Sequence, residues 1–454
     1  MNTTALEANL SRRLDRMPVT RFHVLFLLLC GLGTMFDAMD SVLIASAIPV
    51  LRAGLKLSVA QVTLVGTIST LGLFLGALVV GGLADKYGRK AIFQLSLIWF
   101  SLFSLICAFS FDFWSLAIFR FIEGIGLGAE VPIVASYAAE FVPAKKRGAL
   151  MSLYQSCFIL GIILSSLLGW LIVPRWGWRV LLGAGAIPVL LAVWLRKGLP
   201  ESPRWLLAQG RVEEATAVVE EIEKSVKGTI EAVPAGQQAQ PNISPAAAVT
   251  KPSLFAGRPS VTIMLWFLWF TCFASSYGLT TWRPAIFSAA GVPLSQALFW
   301  TFVTTLIGVP GFLLAAWLLD KWGRKGVGVA VFALSVVANF MFGESGKQLV
   351  PLVAWALVLQ CTSGISQALV YTWTPELYPT NIRARGTSVA SSIGRAGQYI
   401  IPTIIGGFVL AGSMTAGYGI ISGLCIIAII AILLFGVETK KLSLEALHGQ
   451  GPGH

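Results

Sequence analysis

Long apolar runs alternate along the chain with short polar connections. Each run contains roughly twenty residues, which is enough for an α-helix to cross a hydrocarbon core of about 30 Å. We count twelve such runs, near residues 22–50, 59–84, 91–110, 113–141, 149–172, 178–197, 260–289, 296–319, 326–343, 349–375, 385–410 and 416–437. The pattern predicts an all-α membrane protein with twelve transmembrane helices, which are numbered here as spans 1 to 12.

A long polar segment at residues 198–259 separates the first six spans from the last six. It contains a predicted short amphipathic helix near 211–227, and a stretch at 233–252 whose Pro, Ala and Gln content is typical of a flexible linker. We therefore expect three parts: a six-helix half at 1–197, a cytoplasmic linker with a short helix at 198–259, and a six-helix half with a cytoplasmic tail at 260–454.

Two sequence patterns occur once in each half. Asp85-Lys86-Tyr87-Gly88-Arg89-Lys90, which follows span 2, returns after span 8 as Asp320-Lys321-Trp322-Gly323-Arg324-Lys325. Glu140 and Arg147, after span 4, return after span 10 as Glu376 and Arg385. This duplication predicts that the two halves are pseudo-symmetric.

The composition agrees with a membrane protein, because 56% of the residues are hydrophobic and only 12% are charged. The formal net charge of +12 lies in short clusters between spans and not in a continuous arm, which argues against nucleic-acid binding. Lys and Arg concentrate in the loops after spans 2, 4, 8 and 10, so we expect both termini on the cytoplasmic side. The polar N-terminus lacks the pattern of a removable signal peptide, and span 1 is expected to start membrane insertion.

The cysteines do not suggest a redox or metal centre. All six lie within apolar runs, without a CxxC pair or zinc-binding spacing: Cys30, Cys107, Cys157, Cys272, Cys361 and Cys425. We therefore expect no disulfide, no metal and no other cofactor. No set of nucleophile and base converges in the sequence either, which argues against an enzyme.

Two carboxylates, Asp37 and Asp40, interrupt the apolar pattern of span 1. Their spacing places both on one helix face, and an acid inside a membrane is unfavourable enough that it is usually functional. We expect this face to line a cavity enclosed by protein. Asp37 is the preferred proton carrier, and Asp40 is expected to share or tune that role. The alternative for each is structural pairing with a basic group.

Arg395 lies within span 11, about ten residues or roughly 15 Å from the cytoplasmic end of that helix. Because a central charge is unfavourable by about 2.5–3.5 kcal/mol, this guanidinium needs a partner. One alternative is an anionic ligand, since the planar fork of arginine matches a carboxylate. The other is an internal salt bridge to Asp37, Asp40 or Glu130.

Span 4 carries three further charges. We expect Arg120 and Glu123 to form an internal ion pair, and Glu130 is a weaker candidate for a proton path or a gate. The glycines of this span, Gly124, Gly126 and Gly128, have the spacing of a dinucleotide-binding fingerprint. They lie inside an apolar helix with no preceding strand, so close helix packing is the preferred interpretation.

The duplicated loops resemble those of the major facilitator superfamily, whose transporters contain two six-helix halves with a central site. Three other stretches, RFIEGIGLG at 120–128, PESPRW at 200–205 and VETKK at 437–441, are similar to motifs of sugar porters, organic-ion transporters and synaptic vesicle glycoproteins. Span 7 reads YGLTTWRP at 277–284 and lacks the paired glutamines and Asn of hexose carriers. The stretches FDAMD at 36–40 and GLGAEVP at 126–132 are similar to bacterial nicotinate transporters.

This resemblance implies import of a small aromatic monocarboxylate, nicotinate first, across the bacterial inner membrane by alternating access with coupling to protons. The implied partners are this organic anion, the proton and the lipid bilayer, and we expect a monomer. Proton-coupled sugar porters carry an acid at the place of Asp37, and organic-anion relatives carry a basic residue in the helix of Arg395. The resemblance also implies a cytoplasmic gate that holds the outward-open state: Asp85, Arg89, Asp320, Arg324, Glu140, Arg147, Glu376 and either Arg383 or Arg385.

An aromatic substrate calls for flat apolar walls with few polar groups. The candidate contacts are aromatic or amide side chains of inner spans: Tyr277, Trp282, Tyr371, Trp373 and Gln155. Ordinary packing, or a place in an aromatic belt at the membrane surface, is the alternative for each of them.

Two other functions stay open. The first is transport of a different cargo, such as another aromatic acid, a sugar or polyol, or an organic cation. The second is a non-transporting receptor or scaffold of the same fold, for which the central polar segment would be the partner site.

Overall fold

A computed structural model describes residues 10, 13, 17–143, 147–190, 198–224, 255, 259–378 and 382–440. These residues form thirteen α-helices and no strand: α1 (Arg21–Gly54), α2 (Val59–Tyr87), α3 (Arg89–Ala108), α4 (Phe113–Phe141), α5 (Arg147–Ala184), α6 (Pro203–Ala208), α7 (Val212–Lys224), α8 (Pro259–Ala289), α9 (Leu294–Leu306), α10 (Gly308–Glu344), α11 (Leu349–Leu377), α12 (Arg383–Leu410) and α13 (Met414–Phe435). The predicted all-α class is confirmed. The linker predicted at 233–252, the end of span 6 and the tail from residue 441 lie outside the described residues.

Nine helical stretches of the described residues are long and apolar enough to cross a membrane. Two of them, Ser156–Leu190 and Leu294–Glu344, are interrupted by a glycine in a left-handed backbone conformation. These are Gly177, with φ of 79°, and Gly323, with φ of 78°. The interruptions fall where the sequence predicts the junctions between spans 5 and 6 and between spans 8 and 9. Helix α4, which carries the charges of span 4, is not among the nine.

The helices pack as two bundles, each with its own apolar core. Helices α1–α5 form the first bundle, and α8–α13 form the second. The short helices α6 and α7 pack on the first bundle through Leu206, Leu207, Ala215, Val219 and Ile222. The amphipathic helix predicted near 211–227 is therefore confirmed as far as Lys224.

The two ends of the bundles differ. We call the end that carries residues 86–90 and 321–325 the basic-loop end, and the end that carries residues 54–59 and 289–294 the opposite end. The bundles meet through the helix pairs α1 with α8, α2 with α12 and α5 with α9. At the opposite end, Trp170 of the first bundle stacks on Phe302 of the second, with ring centroids 5.9 Å apart. The bundles are therefore closed against each other at the opposite end.

Close approach of α2 and α4 depends on glycine. A Cβ on Gly124 would meet the carbonyl oxygen of Ser69, and a Cβ on Gly128 would meet that of Leu73. The helix backbones thus touch where side chains are missing. This confirms close packing as the role of the glycine series in span 4.

Candidate functional site

Asp37 and Arg395 lie on helices of opposite bundles, within electrostatic range of each other. Asp37 lies near the middle of α1, with 2% of its surface exposed, and Arg395 lies half-buried near the middle of α12. Among the described residues, Arg395 has no salt bridge or hydrogen bond, and one carboxylate oxygen of Asp37 has no hydrogen-bond partner. The salt bridge to Asp37, Asp40 or Glu130 that the sequence left open is absent there.

Asp40 has a different environment from Asp37, because it belongs to a buried ion cluster. Arg120 lies 2.9 Å from Glu123 and 4.0 Å from Asp40, and all three side chains are fully buried. Ser104 donates a 2.8 Å hydrogen bond to Asp40. The predicted pair of Arg120 and Glu123 is therefore confirmed, and Asp40 is a third member of that cluster.

Glu130 of α4 is within electrostatic range of Asp37. The hydroxyl of Thr34 lies 3.4 Å from a carboxylate oxygen of Glu130 and 2.9 Å from the hydroxyl of Tyr154, and all three residues are buried. One carboxylate oxygen of Glu130 has no partner among the described residues. Three carboxylates thus lie on or beside one stretch of α1, and among the described residues Asp37 is the one within electrostatic range of Arg395.

A row of aromatic rings runs along α8 beside Arg395. Trp269 stacks on Phe273 at 5.5 Å with an interplanar angle of 13°, and Phe273 stacks on Tyr277 at 6.2 Å with an angle of 9°. Tyr371 of α11 contacts Trp269 edge-on at 4.7 Å, and it is 43% exposed. Tyr277 and Tyr371 both lie within electrostatic range of Arg395. We call these four residues the aromatic row.

Sequence reasoning selected Tyr277 and Tyr371 but missed Trp269 and Phe273. The signal was present, because residues 269, 273 and 277 are spaced four apart and therefore share one helix face. The row lies against α12, since a Cβ on Gly394, next to Arg395, would approach both Trp269 and Phe273 to 3.1 Å. A flat apolar wall and a guanidinium are thus placed side by side.

The other predicted substrate contacts are placed differently. Trp282 is fully buried and donates its ring N–H to the carbonyl of Pro402 at 2.7 Å. Trp373 is also fully buried and donates to the carbonyl of Val437 at 3.0 Å. Neither ring has an open face in this conformation, and the aromatic row does not include them. The side chain of Gln155 lies outside the described residues.

Within the aromatic row, Trp269 is equally buried and donates its ring N–H to Thr374 at 2.8 Å. The rings available to a ligand are therefore those of Phe273, Tyr277 and Tyr371.

The charges of the repeated loops form two equivalent clusters at the basic-loop end. In the first bundle, Arg89 lies 2.8 Å from Asp85 and 3.6 Å from Glu140. In the second bundle, Arg324 lies 2.8 Å from Glu376. These ion pairs each stay within one bundle, and Asp320 is exposed. The side chains of Arg147 and Arg383 lie outside the described residues, and Arg385 is exposed.

Each cluster contains a further glutamate that sequence reasoning did not assign. Glu201 accepts the backbone N–H groups of Arg89 at 3.0 Å and Lys90 at 3.1 Å. Glu438 accepts those of Arg324 at 2.9 Å and Lys325 at 3.0 Å. The sequence pattern that could have identified these glutamates is the pair of short motifs PES at 200–202 and VET at 437–439, which occupy equivalent places in the two clusters. Both carboxylates bind the unpaired N–H groups where a helical segment starts.

Glu438 lies beyond the last apolar helix and is expected to make stability depend on pH. Burial opposes ionisation, but backbone N–H donors of Arg324, Lys440, Lys325 and Thr439 outweigh it and hold the pKa of Glu438 below its ordinary value of 4.5. A lowered pKa means that the folded protein gains stability above pH 4.5 and loses it as the pH falls through the folded-state value. Glu438→Gln is therefore expected to lower the melting temperature by roughly 2–4 °C at pH 7.

This difference in melting temperature between Glu438→Gln and the unsubstituted protein should shrink below pH 4.5. Thermal unfolding of the purified protein in detergent, followed by tryptophan fluorescence from pH 3.5 to 8, measures it. Glu344→Gln is the matched control, because Glu344 is exposed at the end of α10. A deficit that stays constant across this pH range would contradict the role of the ionised carboxylate.

Comparison with known proteins agrees with the geometry. The family model described as sugar (and other) transporter matches residues 31–449. The niacin transporter NiaP of Acinetobacter baylyi is 32% identical over 445 residues, which cover 97% of this chain and 99% of that protein. The putative niacin/nicotinamide transporter NiaP of Bacillus subtilis is 31% identical over 418 residues, which cover 91% and 96%. A solved D-xylose–proton symporter has a TM-score of 0.73 at 20% identity, covering 93% of this chain and 99% of its own, and shows the fold alone.

Proposed function

This chain belongs to the sugar (and other) transporter family, and from that premise we propose that it transports nicotinate, a small aromatic monocarboxylate. The family makes it a multi-pass membrane transporter of a small molecule with the major facilitator superfamily fold, and not an enzyme. The identity of the cargo, the coupling ion and the way the bundles move belong to the proposal.

The proposed architecture has twelve spans in two six-helix halves, with both termini on the cytoplasmic side of a bacterial inner membrane. The glycine interruptions at Gly177 and Gly323, where the long helical stretches break, support the count. Apolar cores that consist almost entirely of residues from one bundle each support the division into halves. In this orientation the basic-loop end is cytoplasmic, so the bundles are closed on the external side. Alternating access then requires them to part there and to close at the basic-loop end.

The observation that carries the choice of cargo is an unpaired guanidinium beside a row of stacked rings. Arg395 provides two parallel N–H donors for a carboxylate, and the aromatic row provides a flat wall for the attached ring. A guanidinium beside a flat apolar wall suits a planar ring that bears one carboxylate. The names of the two relatives add nicotinate as the specific member of that class.

Asp37 is the proposed proton carrier. It is buried, one of its oxygens has no hydrogen-bond partner among the described residues, and it lies within electrostatic range of Arg395, the proposed ligand of the anion. Arrival of a carboxylate at Arg395 withdraws the positive charge that stabilises ionised Asp37, so the substrate and a proton enter together. One proton with one monoanion makes transport electroneutral.

Uptake of labelled nicotinate into proteoliposomes tests this function. We expect saturable uptake that an inward proton gradient accelerates and that a potassium–valinomycin potential does not change. Nicotinamide, which has the same ring but no charge, is the matched competitor, and we expect it to inhibit at least about tenfold more weakly than nicotinate because it cannot form a charge-assisted pair. Uptake no faster than in empty liposomes would refute nicotinate as the cargo, and equal inhibition by the amide would refute recognition of its carboxylate by a charge-assisted pair.

A further inference from the structure

A second guanidinium, that of Arg283, is buried without any acid. Arg283 lies on α8 and is 1% exposed. It donates to the neutral side chains of Gln360 at 3.0 Å and Thr305 at 2.6 Å, and its Nε has no partner in the part of the chain that the structure describes. Among the described residues no carboxylate forms a salt bridge with it. A buried, uncompensated cation of this kind is unfavourable unless an anion can reach it.

Arg283 lines a narrow cavity between the two bundles. Helices α1 and α5 provide one wall, with Val42, Ile162 and Ser165, and helices α8 and α9 provide the other, with Pro284 and Thr301. The hydroxyl of Ser165 is buried and has no partner among the described residues. Arg283 and Ser165 thus line a cavity whose other walls mix apolar side chains, such as Val42 and Ile162, with the hydroxyl groups of Ser and Thr residues. A guanidinium surrounded by neutral hydroxyl donors fits the carboxylate of an organic anion.

The position of the cavity indicates when it opens. Arg283 lies six residues beyond Tyr277 along α8, or about 9 Å nearer the opposite end. There the bundles meet, and the cavity is narrow because they are in contact. Separation of the bundles at this end would widen it and expose Arg283 to the outside before the aromatic row is reached.

We propose that Arg283 forms a second carboxylate site, which binds the organic anion at the opposite end before Arg395 binds it at the centre. This inference rests on the proposed function for the direction of transport and for the cargo. The two guanidinium groups are then consecutive binding positions along one path. Gln360 and Thr305 hold the Arg283 fork in place without neutralising it.

Directional flux distinguishes this site from the central one. In proteoliposomes of uniform orientation, Arg283→Gln is expected to raise the half-saturating nicotinate concentration from the opposite end by about tenfold. From the basic-loop end the change should be less than about twofold, because the anion reaches Arg395 first. Arg395→Gln should impair both directions. Equal effects of Arg283→Gln on both sides, or no effect on either, would overturn the proposal.

Three further variants guard against a purely structural effect. Arg283→Lys, which keeps the charge, should recover part of the affinity from the opposite end. Ser165→Ala, which removes one donor with little change in volume, should weaken binding from that end by about threefold. Arg175→Gln is the control, since Arg175 is exposed and donates to the carbonyl of Leu171. A loss in Arg283→Gln with no loss in Ser165→Ala and no recovery in Arg283→Lys would assign Arg283 to folding alone and overturn the site.

A measurement without nicotinate separates failure of this site from failure of the proposed cargo. Ser166→Cys places a thiol on the wall of the cavity, in a background where the half-buried Cys157 and Cys361 are alanine. An anionic thiosulfonate reagent applied from the opposite end should react faster than its cationic counterpart, and Arg283→Gln should reduce this ratio by about tenfold. An unchanged ratio, or no reaction from that end, overturns the site whatever the cargo. A reduced ratio with no nicotinate flux supports the site and refutes only the cargo.

Discussion

Replacing Arg395 by glutamine is expected to raise the half-saturating nicotinate concentration at least about a hundredfold and to leave the protein folded. The guanidinium has no hydrogen bond or salt bridge among the described residues, so its loss breaks no internal contact there. Two charge-assisted hydrogen bonds to the substrate carboxylate would be lost at once. Arg395→Lys keeps the charge but not the planar fork and should lose about tenfold. Nicotinate binding to the purified protein, measured by calorimetry, gives these ratios.

Arg175→Gln is the control for this experiment, because Arg175 is exposed and belongs neither to the proposed site nor to the proposed gate. A competing interpretation is that Arg395 only balances the charge of Asp37. In that case Arg395→Gln would destabilise the protein, and adding Asp37→Asn would restore its melting temperature in a double-mutant cycle. Binding within threefold of the unsubstituted protein would also remove Arg395 as the carboxylate ligand.

The membrane-embedded charges were accessible to sequence reasoning for a physical reason. A charge within an apolar span is so unfavourable that its presence alone marks a site, and this identified Asp37, Arg120 and Arg395. Arg283 carries the same signal, but it lies next to Pro284 near the end of its span, where a charge can reach the membrane surface. Its burial between neutral partners depends on Gln360 and Thr305, which the local pattern does not reveal.

The two tryptophans show where sequence reasoning stops. Trp282 and Trp373 have the same type and helical setting as residues that line a cavity, yet their ring N–H groups bind the carbonyls of Pro402 and Val437. Both acceptors lie on distant segments of the chain, so only the packing of helices decides which rings remain open. The same limit applies to Asp40, since its place in the Arg120 cluster depends on how α1 packs against α4.

Asp37→Asn is expected to abolish accumulation of nicotinate driven by a proton gradient and to preserve exchange. For one proton per monoanion, a gradient of one pH unit supports about tenfold accumulation in the unsubstituted protein. Asparagine has nearly the same shape as the acid but cannot release or bind a proton, so the internal and external concentrations should become equal. Counterflow of labelled against unlabelled nicotinate at equal pH should continue, because it needs the Arg395 site and the bundle motion but no net proton movement. Parallel measurement of both fluxes in one preparation of proteoliposomes checks this.

Asp40→Asn separates a specific role of Asp37 from a general effect of removing an acid on that helix face. Asp40 accepts from Ser104 and lies by Arg120, so its replacement should lower the melting temperature while accumulation per folded molecule persists. If Asp37→Asn still accumulates nicotinate against a gradient, the coupling proton resides elsewhere. Glu130 then becomes the next position to replace, because it is also buried and one of its oxygens has no partner among the described residues. If Asp40→Asn loses coupling while Asp37→Asn keeps it, the proton belongs to the Arg120 cluster, and Asp37 and Arg395 serve substrate binding alone.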